Sequence, residues 1–281
     1  RSAANKIGQL QDIHGTDSAS TCLGQYEVDH FWNCPKIEEL TPEIIAHYCQ
    51  KHQITAIIPT RDADVEFYAR HLLFFHKQGI YPMVSPLETV LTCRDKILFA
   101  EMLKKNHFPV IPAYLSLEQF DSSSYVVKER QGAGSLLAEL NQNRQKTLEK
   151  SRLLKEPIFQ PFIEGQEWSV DLYRSSEGIV KGCVARQRNY IVDGESQITT
   201  TQQYPALENL CQRMADHLKI YGHAIFQVIE NKVGAFHVIE CNPRFGGAST
   251  ASLAVGLDSF FWFFAECLGL NLDDYPFIRL P

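Results

Sequence analysis

Two apolar segments near the end of the chain carry the side chains best suited to chemistry. Ala224–Ile229 and Gly234–Glu240 have the composition of strands, and the four residues between them are typical of a hairpin turn. If the two strands pair, Gln227 and Glu240 can face each other across the hairpin. Asn242 lies two residues beyond Glu240, so both side chains project from the same face of the strand.

Converging amide and carboxylate oxygens of this kind indicate a site for a hard cation. No histidine or thiolate is among the three, and Mg²⁺ prefers oxygen ligands while keeping positions for water and substrate phosphates. Arg244, two residues further on, is placed to hold the same phosphates through paired N–H groups. Gly246 and Gly247 would let the backbone approach a ligand closely. From the spacing alone, a metal site and an ordinary polar hairpin edge are equally well supported.

Two lysines earlier in the chain lie where an anion would favour them. Lys96 stands at the start of a predicted helix, 95–106, where the helix dipole disfavours a cation unless an anion is bound. Lys128 ends the apolar strand that begins at Tyr125, and an inward ammonium on such a strand needs an anionic partner. The alternative for Lys96 is an ordinary solvated lysine on the surface.

The loop after Lys128 is rich in small residues. It contains Gly132, Gly134 and Ser135, and such a loop can turn its N–H groups toward phosphate oxygens. It lacks the Gly-Lys-Ser/Thr ending of a Walker sequence. Taken by itself, the loop is better explained as a flexible hairpin turn.

A pair of arginines lies on another predicted strand. Arg186 and Arg188 alternate along it, so they share one face, where they could bind a substrate carboxylate or the transferred phosphate. A solvated strand face explains them equally well; Arg188 is slightly favoured for the substrate, and Arg186 is unassigned. Arg61 and Asp62 follow the apolar segment 54–58 at the end that lines the ligand crevice in open α/β sheets, and their role is also unassigned.

The predicted elements that position these residues change in kind along the chain. Strand and helix alternate over the first 84 residues, with a helix start at Thr41-Pro42, which favours a doubly wound α/β unit. This unit begins in a helix rather than in a strand and a glycine-rich turn, so we expect the chain to lack its natural N-terminus. Further on we predict a mostly helical segment at 136–154, an amphipathic helix at 207–218 and one buried apolar helix at 252–272.

Composition excludes several classes of function. The 281 residues carry a formal net charge of -6, which argues against a general nucleic-acid binder. The eight cysteines form no Cys-x-x-Cys pair, so zinc-ribbon and thioredoxin-like sites are disfavoured and a reducing cytoplasm is expected. Asp258 and Glu266 interrupt the most apolar segment, which is therefore predicted to be buried in protein rather than in a membrane. The ten histidines show no metal or triad spacing and are interpreted as structural or surface residues.

The run from Gln227 to Arg244 resembles the metal-binding hairpin of ATP-grasp enzymes, in particular the branch similar to the carbamoyl phosphate synthase large subunit. That family has Gln or Glu on one strand and Glu-x-Asn-Pro-Arg on the next, here starting at Glu240. Further family features follow in the family order from about Ile54 onward. The resemblance implies that Gln227, Glu240 and Asn242 bind magnesium and that Arg244 contacts the terminal phosphate.

Other positions inherit nucleotide-binding roles from the same resemblance. Phe162 and Ile163 match the strand edge that binds adenine through its backbone, and Glu167 matches the carboxylate that holds the ribose hydroxyls. The family often has Glu where this chain has Gln160, although an amide can still accept from the adenine amino group. The residues implied to bind the nucleotide are Lys96, Lys128, Gly132, Gly134, Ser135, Gln160, Phe162, Ile163 and Glu167.

The implied fold is the α/β ATP-grasp fold. It comprises an N-terminal doubly wound α/β domain at 1–84 and an ATP-grasp domain at 85–281. The second domain would contain a small α+β lid at about 113–162 and a C-terminal α+β part with an antiparallel sheet.

The implied activity is that of a carboxylate–amine (or carboxylate–thiol) ligase. A carboxylate would attack the γ-phosphate to give an acylphosphate and ADP, and a nucleophile would then displace phosphate, with Arg244, Arg188 and Lys128 as the catalytic groups. The expected cofactors are ATP and two Mg²⁺ ions, with Mn²⁺ as a substitute. The expected partners are a small carboxylate and an amine, without nucleic acid or membrane, and a homodimer is left open.

Three alternatives stay open. A kinase on the same scaffold would release a stable phosphorylated product instead of an amide. A non-catalytic nucleotide-binding protein would keep the ATP site without turnover, which the intact set of Gln227, Glu240, Asn242 and Arg244 argues against. An oxidoreductase built on the first domain would need a Gly-x-Gly-x-x-Gly sequence, which the chain does not contain.

Overall fold

The computed structural model of the chain describes residues 1–8, 12–132, 139–192 and 194–281. Within these ranges the helices are α1 Ser2–Lys6, α2 Pro42–Lys51, α3 Asp62–Arg70, α4 Leu72–Lys77, α5 Leu87–Arg94, α6 Lys96–Lys105, α7 Arg144–Ser151, α8 Pro205–His217, α9 Ser249–Ala254 and α10 Ser259–Cys267. The strands are β1 His14–Asp17, β2 His30–Asn33, β3 Ala56–Ile57, β4 Tyr81–Pro82, β5 Tyr125–Glu129, β6 Glu139–Gln142, β7 Pro157–Pro161, β8 Gly165–Arg174, β9 Val180–Val192, β10 Glu195–Gln202, β11 Gly222–Asn231 and β12 Phe236–Asn242.

The N-terminal part contains two small parallel sheets with helices between their strands. β1 pairs with β2, and β3 pairs with β4. The predicted start of α2 is confirmed, because Thr41 caps the helix by accepting the Ile44 N–H at 3.4 Å and Pro42 occupies the first turn. α3 begins at Asp62, a few residues after β3 ends. Asp62 therefore lies beyond the carboxyl end of a parallel strand, as the sequence predicted.

A three-stranded antiparallel sheet, in the order β6-β5-β7, forms a small layer with α7. The prediction that 136–154 is mostly helical is wrong at Glu139–Gln142, which form β6 and pair with β5. Asn141 has a positive φ of 54°, which a helix does not allow. Asn143 then caps α7 by accepting the Lys146 N–H at 2.9 Å, so the helix begins only there.

A five-stranded antiparallel sheet, in the order β10-β9-β8-β11-β12, forms the largest layer. The predicted hairpin β11–β12 is confirmed, and β8 pairs with β9 in a second antiparallel hairpin. On β8, Trp168, Val170 and Leu172 are buried in a core shared with α8, which confirms the predicted amphipathic helix. Because side chains alternate along a strand, Glu167 and Asp171 belong to the opposite face of the sheet. That face is rich in polar residues and forms the floor of the cleft described below.

The apolar segment 252–272 is two helices, α9 and α10, rather than the single predicted helix. The chain turns between them at Gly256, which has a φ of +99°. A Cβ at this position would meet the carbonyl oxygen of Ile278 at 2.3 Å, so only glycine allows the close approach. α10 is buried in protein, as predicted. Among the described residues, no helix combines the length and apolar character needed to cross a membrane.

Candidate active site

The three-stranded sheet and the polar face of the five-stranded sheet line a cleft of about 680 Å³. Every predicted site residue that the structure describes lies on its wall. These residues are Lys96, Lys128, Gly132, Gln160, Phe162, Ile163, Glu167, Arg188, Gln227, Glu240, Asn242 and Arg244. Two further predicted residues, Gly134 and Ser135, lie outside the described residues.

The hairpin of β11 and β12 brings the three predicted metal ligands together. Gln227 and Glu240 are Cα partners in the antiparallel register, as the sequence predicted. The amide nitrogen of Asn242 donates to Oε1 of Glu240 at 3.1 Å, so these two side chains lie on one face. Oε2 of Glu240 and Oδ1 of Asn242 have no hydrogen-bond partner among the described residues. Two oxygens are therefore available for a cation.

This donor set fits Mg²⁺ only together with further ligands. It comprises one carboxylate and two amides, and no group of three or more His, Cys, Asp or Glu side chains in the described ranges could hold a metal ion by itself. Phosphate oxygens and water are the ligands that Mg²⁺ takes alongside one or two carboxylates. The chemistry of the site thus suits a magnesium ion that arrives with a phosphate ligand.

The start of α6 is organised around Asp95. Its carboxylate accepts two backbone N–H groups of the first turn at 3.0 and 3.2 Å and forms an ion pair with Arg130 at 2.6 Å. Burial raises the pKa of Asp95, but Arg130 and the two N–H groups outweigh it and lower the pKa overall. Lys96 donates from Nζ to the carbonyl of Gly132 at 3.2 Å. This contact ties the helix to the beginning of the glycine-rich loop.

Lys128 presents an ammonium group to the cleft without a partner among the described residues. Burial lowers the pKa of Lys128 to about 8; the charge of Lys96 lowers it further, while the carboxylates of Glu240 and Glu167 raise it. A cation in this setting gains much from a bound anion, because desolvation disfavours its charge when no partner is near. The burial and charge of Lys128, together with its position on the cleft wall, therefore favour binding of an anion.

The segment between β7 and β8 offers free hydrogen-bonding groups to the cleft. The Phe162 N–H is donated to the carbonyl of Ser124 at 3.1 Å, whereas the Ile163 N–H has no partner in the described part of the chain. Gln160 is buried, and its Nε2 donates to the carbonyl of Ile111 at 3.2 Å. This bond fixes the side chain and leaves Oε1 of Gln160 able to accept from an amino group.

Arg188 and Glu167, which were predicted to contact different substrates, contact each other. Arg188 donates from Nη1 to Glu167 Oε2 at 2.8 Å and to Gln227 Oε1 at 3.3 Å. Its Nη2 donates to the carbonyl of Gly194 at 2.5 Å, and its Nε is buried without a hydrogen-bond partner in the described structure. The Arg188 side chain thus links β9 to β8 and β11 on the cleft floor.

Arg244 reaches from the metal-binding hairpin to the N-terminal part of the chain. Its Nε and Nη2 donate to the two carboxylate oxygens of Asp62 at 2.5 and 3.1 Å, and its Nη1 donates to the Phe245 carbonyl at 3.0 Å. Asp62 was expected from the sequence to follow a strand at the ligand crevice, with no partner assigned. The structure shows that Asp62 holds the arginine predicted to contact the terminal phosphate.

A buried polar cluster beneath the cleft floor was not predicted from the sequence. Asp171 is fully buried and accepts from Arg186 Nε at 2.6 Å, Ser249 Oγ at 2.6 Å and Ser252 Oγ at 3.0 Å. The ring of His223 lies 3.1 Å from the same carboxylate. Burial raises the pKa of Asp171, but His223 and Arg186 outweigh it and lower the pKa well below its usual range. No local spacing in the sequence relates these residues, which come from four elements.

Comparisons with known proteins agree with this arrangement. A family model described as an ATP-grasp domain matches residues 93–248, and one described as a PylC-like N-terminal domain matches residues 2–84. The carbamoyl phosphate synthase large chain of Methanothermobacter thermautotrophicus is 28% identical over 250 residues, which cover 78% of this chain. The chain spans only 24% of the length of that relative.

Solved structures share the fold at low sequence identity. The biotin carboxylase domain of the Hydrogenobacter thermophilus 2-oxoglutarate carboxylase, in complex with MgADP and bicarbonate, has a TM-score of 0.76 at 14% identity, covering 98% of this chain and 69% of its own. The L-amino acid ligase of Bacillus licheniformis has a TM-score of 0.72 at 18% identity, covering 95% and 70%. These likenesses confirm the predicted fold class.

Proposed function

The chain belongs to the ATP-grasp family, and on this premise we propose that it is a Mg-ATP-dependent ligase that activates a carboxylate as an acylphosphate and joins it to an amine. The observation that carries this proposal is the convergence in one cleft of Gln227, Glu240, Asn242 and the Lys128 ammonium, which has no partner within the described ranges. A carboxylate–amide donor set beside a desolvated cation suits a metal-bound polyphosphate.

The proposed nucleotide pose follows from the free groups of the cleft. Adenine would accept from the Ile163 N–H and donate to Oε1 of Gln160. Glu167 would bind the ribose hydroxyls, for which its hydrogen bond with Arg188 must be shared or exchanged. Lys96 and Lys128 would bind the phosphates, and Gly132 would lie at the edge of the loop that closes over them.

Phosphoryl transfer in this cleft would depend on positioning and electrostatics. Glu240, Asn242 and Gln227 would hold Mg²⁺, which would supply charge neutralisation for the phosphates. Lys128 and Arg244 would offset the negative charge that builds on the transferring group. Arg188 would orient the substrate side of the cleft. The proposed lid, about 113–162, would exclude water, because an acylphosphate hydrolyses readily.

An ADP-release assay with MgATP over a panel of amino acids and small carboxylates tests this function. A ligase is expected to release ADP and phosphate only with a carboxylate, and to form an amide when an amine is added. A stable phosphorylated product would identify a kinase instead. No ADP release, despite stabilisation by MgATP, would identify a nucleotide-binding protein without turnover.

The pH dependence of ATP use is expected to report on Lys128. Its ammonium is charged below a pKa of about 8 and neutral above it, so kcat/KM for ATP should fall as the pH rises through 8. The Lys128→Arg variant keeps its charge, because the guanidinium pKa is far higher. Its alkaline fall in kcat/KM should therefore move to higher pH. An unchanged fall would assign the titration to another group.

Stability measurements are expected to show that phosphate can replace Asp62 as the partner of Arg244. The Asp62→Ala variant leaves a half-buried guanidinium without its counter-ion, at a cost of about 1–3 kcal/mol in the free energy of unfolding. MgATP should then raise the Tm of the variant by more than that of the wild type. Asp64→Ala is the matched control, since Asp64 pairs with the exposed Arg61. Equal MgATP shifts in all three proteins would contradict the exchange.

The proposal extends to the organisation and assembly of the chain. We assign 1–84 to an N-terminal α/β domain and 85–281 to the ATP-grasp domain. We also propose that each ATP binds with two Mg²⁺ ions, which Mn²⁺ can replace. We propose that the protein is a homodimer. Metal titration of ADP release and light scattering would measure the ion dependence and the assembly.

A further inference from the structure

Arg186 lies beside Arg188 on β9 but is held in a different way. It is 2% exposed and yet forms part of the cleft wall. Its Nε donates to Asp171 at 2.6 Å, and its Nη1 donates to Thr199 Oγ1 at 3.4 Å. Its Nη2 has no partner among the described residues. The structure thus contains a buried guanidinium at the cleft with an unused pair of donors.

The cluster beneath Arg186 fixes the direction of these donors. Asp171 accepts hydrogen bonds from Ser249 and Ser252 as well as from Arg186. Ser249 Oγ also accepts the N–H of Gly246 at 3.1 Å, so the cluster holds the glycine loop of the cleft wall too. A side chain clamped in this way loses little entropy when it binds a ligand, which favours binding of a small anion.

The register of the sheet places Arg186 in one row with the proposed metal ligands. Across the strands, Arg186 pairs with Ser169, Ser169 with Gln227, and Gln227 with Glu240. With strands about 4.8 Å apart, the Cα of Arg186 is roughly 10 Å from that of Gln227 and 14 Å from that of Glu240. An anion on Nη2 would therefore lie beside the proposed phosphate site and not in it.

The charge around Arg186 favours a carboxylate over a phosphate. Asp171 already balances most of the charge of this guanidinium, and the neighbouring Arg188 is paired with Glu167. Little net positive charge remains to neutralise a dianion. The N–H groups left on Nη2 can still donate charge-assisted hydrogen bonds to the oxygens of a monoanionic carboxylate.

From these observations, and resting on the proposed ligase function, we propose that Arg186 binds the carboxylate of the second substrate, with Asp171 as its positioning residue. The carboxylate substrate would then occupy the end of the cleft where Arg186 lies on β9. ATP would occupy the end bounded by Lys128 and Glu240. The alternative is that Arg186 only neutralises Asp171 and contacts no ligand.

Thermal unfolding with MgADP and carboxylate probes tests the assignment. Acetate and the common amino acids serve as probes, added one at a time to the MgADP complex of the wild type, Arg186→Lys and Arg213→Lys. Arg186→Lys would keep a positive charge beside Asp171 but remove the donors of Nη2. Arg213 is an exposed residue of α8 and provides the matched control.

At least one probe is expected to raise the Tm of the wild-type complex. Its affinity should fall about 10–100-fold in Arg186→Lys and stay unchanged in Arg213→Lys, as expected for the loss of one or two charged hydrogen bonds. The MgADP shift itself should be equal in all three proteins. The amide of the effective probe, such as alaninamide in place of alanine, should not raise the Tm of the wild type.

Several results would overturn the assignment. One is an unchanged probe affinity in Arg186→Lys, and another is the absence of probe binding to the wild type. A third is a variant that loses both the MgADP shift and probe binding, because that result would indicate a structural role for Arg186. If Arg186→Lys does not fold, the wild type alone tests the assignment. Equal Tm shifts with the carboxylate probe and with its amide would contradict carboxylate binding by Arg186. A failure of the ligase function is distinct, because it would appear in the ADP-release assay as absent amide formation, whatever the probe affinities of the wild type and Arg186→Lys.

Discussion

Replacing Glu240 with glutamine is expected to reduce MgATP-dependent ADP production by about 10³-fold while the fold stays intact. Glu240 is the single carboxylate among the proposed metal ligands, and its Oε2 has no partner in the described structure. The amide keeps the size of the side chain and its place opposite Gln227. It removes the negative charge that a magnesium ion needs at this point. Steady-state ADP release and far-UV circular dichroism measure the two effects.

The same substitution at Glu101 is the matched control for Glu240. Glu101 lies exposed on α6, so Glu101→Gln should release ADP at the wild-type rate. A raised Mg²⁺ requirement in Glu240→Gln would locate the defect at the metal. Wild-type turnover in Glu240→Gln would remove this residue from the metal site and leave the hairpin as an ordinary polar edge.

The Lys128→Met variant is expected to gain stability while it loses activity. Methionine has a similar length but no charge, so ADP production should fall about 10²–10³-fold through loss of one phosphate-binding cation. Without nucleotide, the free energy of unfolding should rise by on the order of 1–3 kcal/mol, because the cost of holding a desolvated ammonium is removed. Chemical denaturation and ADP release measure the two changes.

Lys104→Met, at an exposed position of α6, controls for the substitution itself. Neither stability nor turnover should change there by a comparable amount. The distinguishing result for Lys128→Met is a higher free energy of unfolding together with lower ADP production. Replacing a lysine that supports the fold would lower both quantities. A destabilised and active Lys128→Met protein would contradict the proposed role.

Local patterns were sufficient to predict the elements that carry the site. The hairpin was predicted from two apolar segments and a turn. The pairing of Gln227 with Glu240 also depends on a β-bulge between Gln227 and Val228, which shifts the register by one residue and is not recorded in the turn length. The helix behind Asp95 and the strand that ends near Lys128 carry equally local signals. Each of these elements depends on residues close in sequence, which is where spacing arguments are reliable.

The contacts between elements could not be predicted in the same way. Asp62 and Arg244 are 182 residues apart, and Asp171 collects partners from β9, β11 and α9. No periodicity records such pairs, because they depend on tertiary packing. For the same reason Arg188 was predicted to contact substrate without the knowledge that Glu167 and Gln227 already accept from it.

Two helix predictions were wrong in part because contacts with residues remote in sequence outweighed the local composition of the segment. The segment 252–272 is mostly apolar, but Gly256 approaches the Ile278 carbonyl and the chain turns there after the first helix. The segment 136–154 is polar, with the composition of a helix, but Glu139–Gln142 form a strand beside β5. In both cases a partner remote in sequence decided the local structure.

The bond between Asp62 and Arg244 has a consequence for the engineering of this chain. Arg244, which lines the cleft, takes its counter-ion Asp62 from the start of α3, so the first 84 residues help to hold a side chain of the cleft wall in place. A chimera that grafts residues 85–281 onto a foreign N-terminal segment must supply an acid at the equivalent position. Exchange of either part of the chain between proteins is therefore constrained by the ion pair between Asp62 and Arg244.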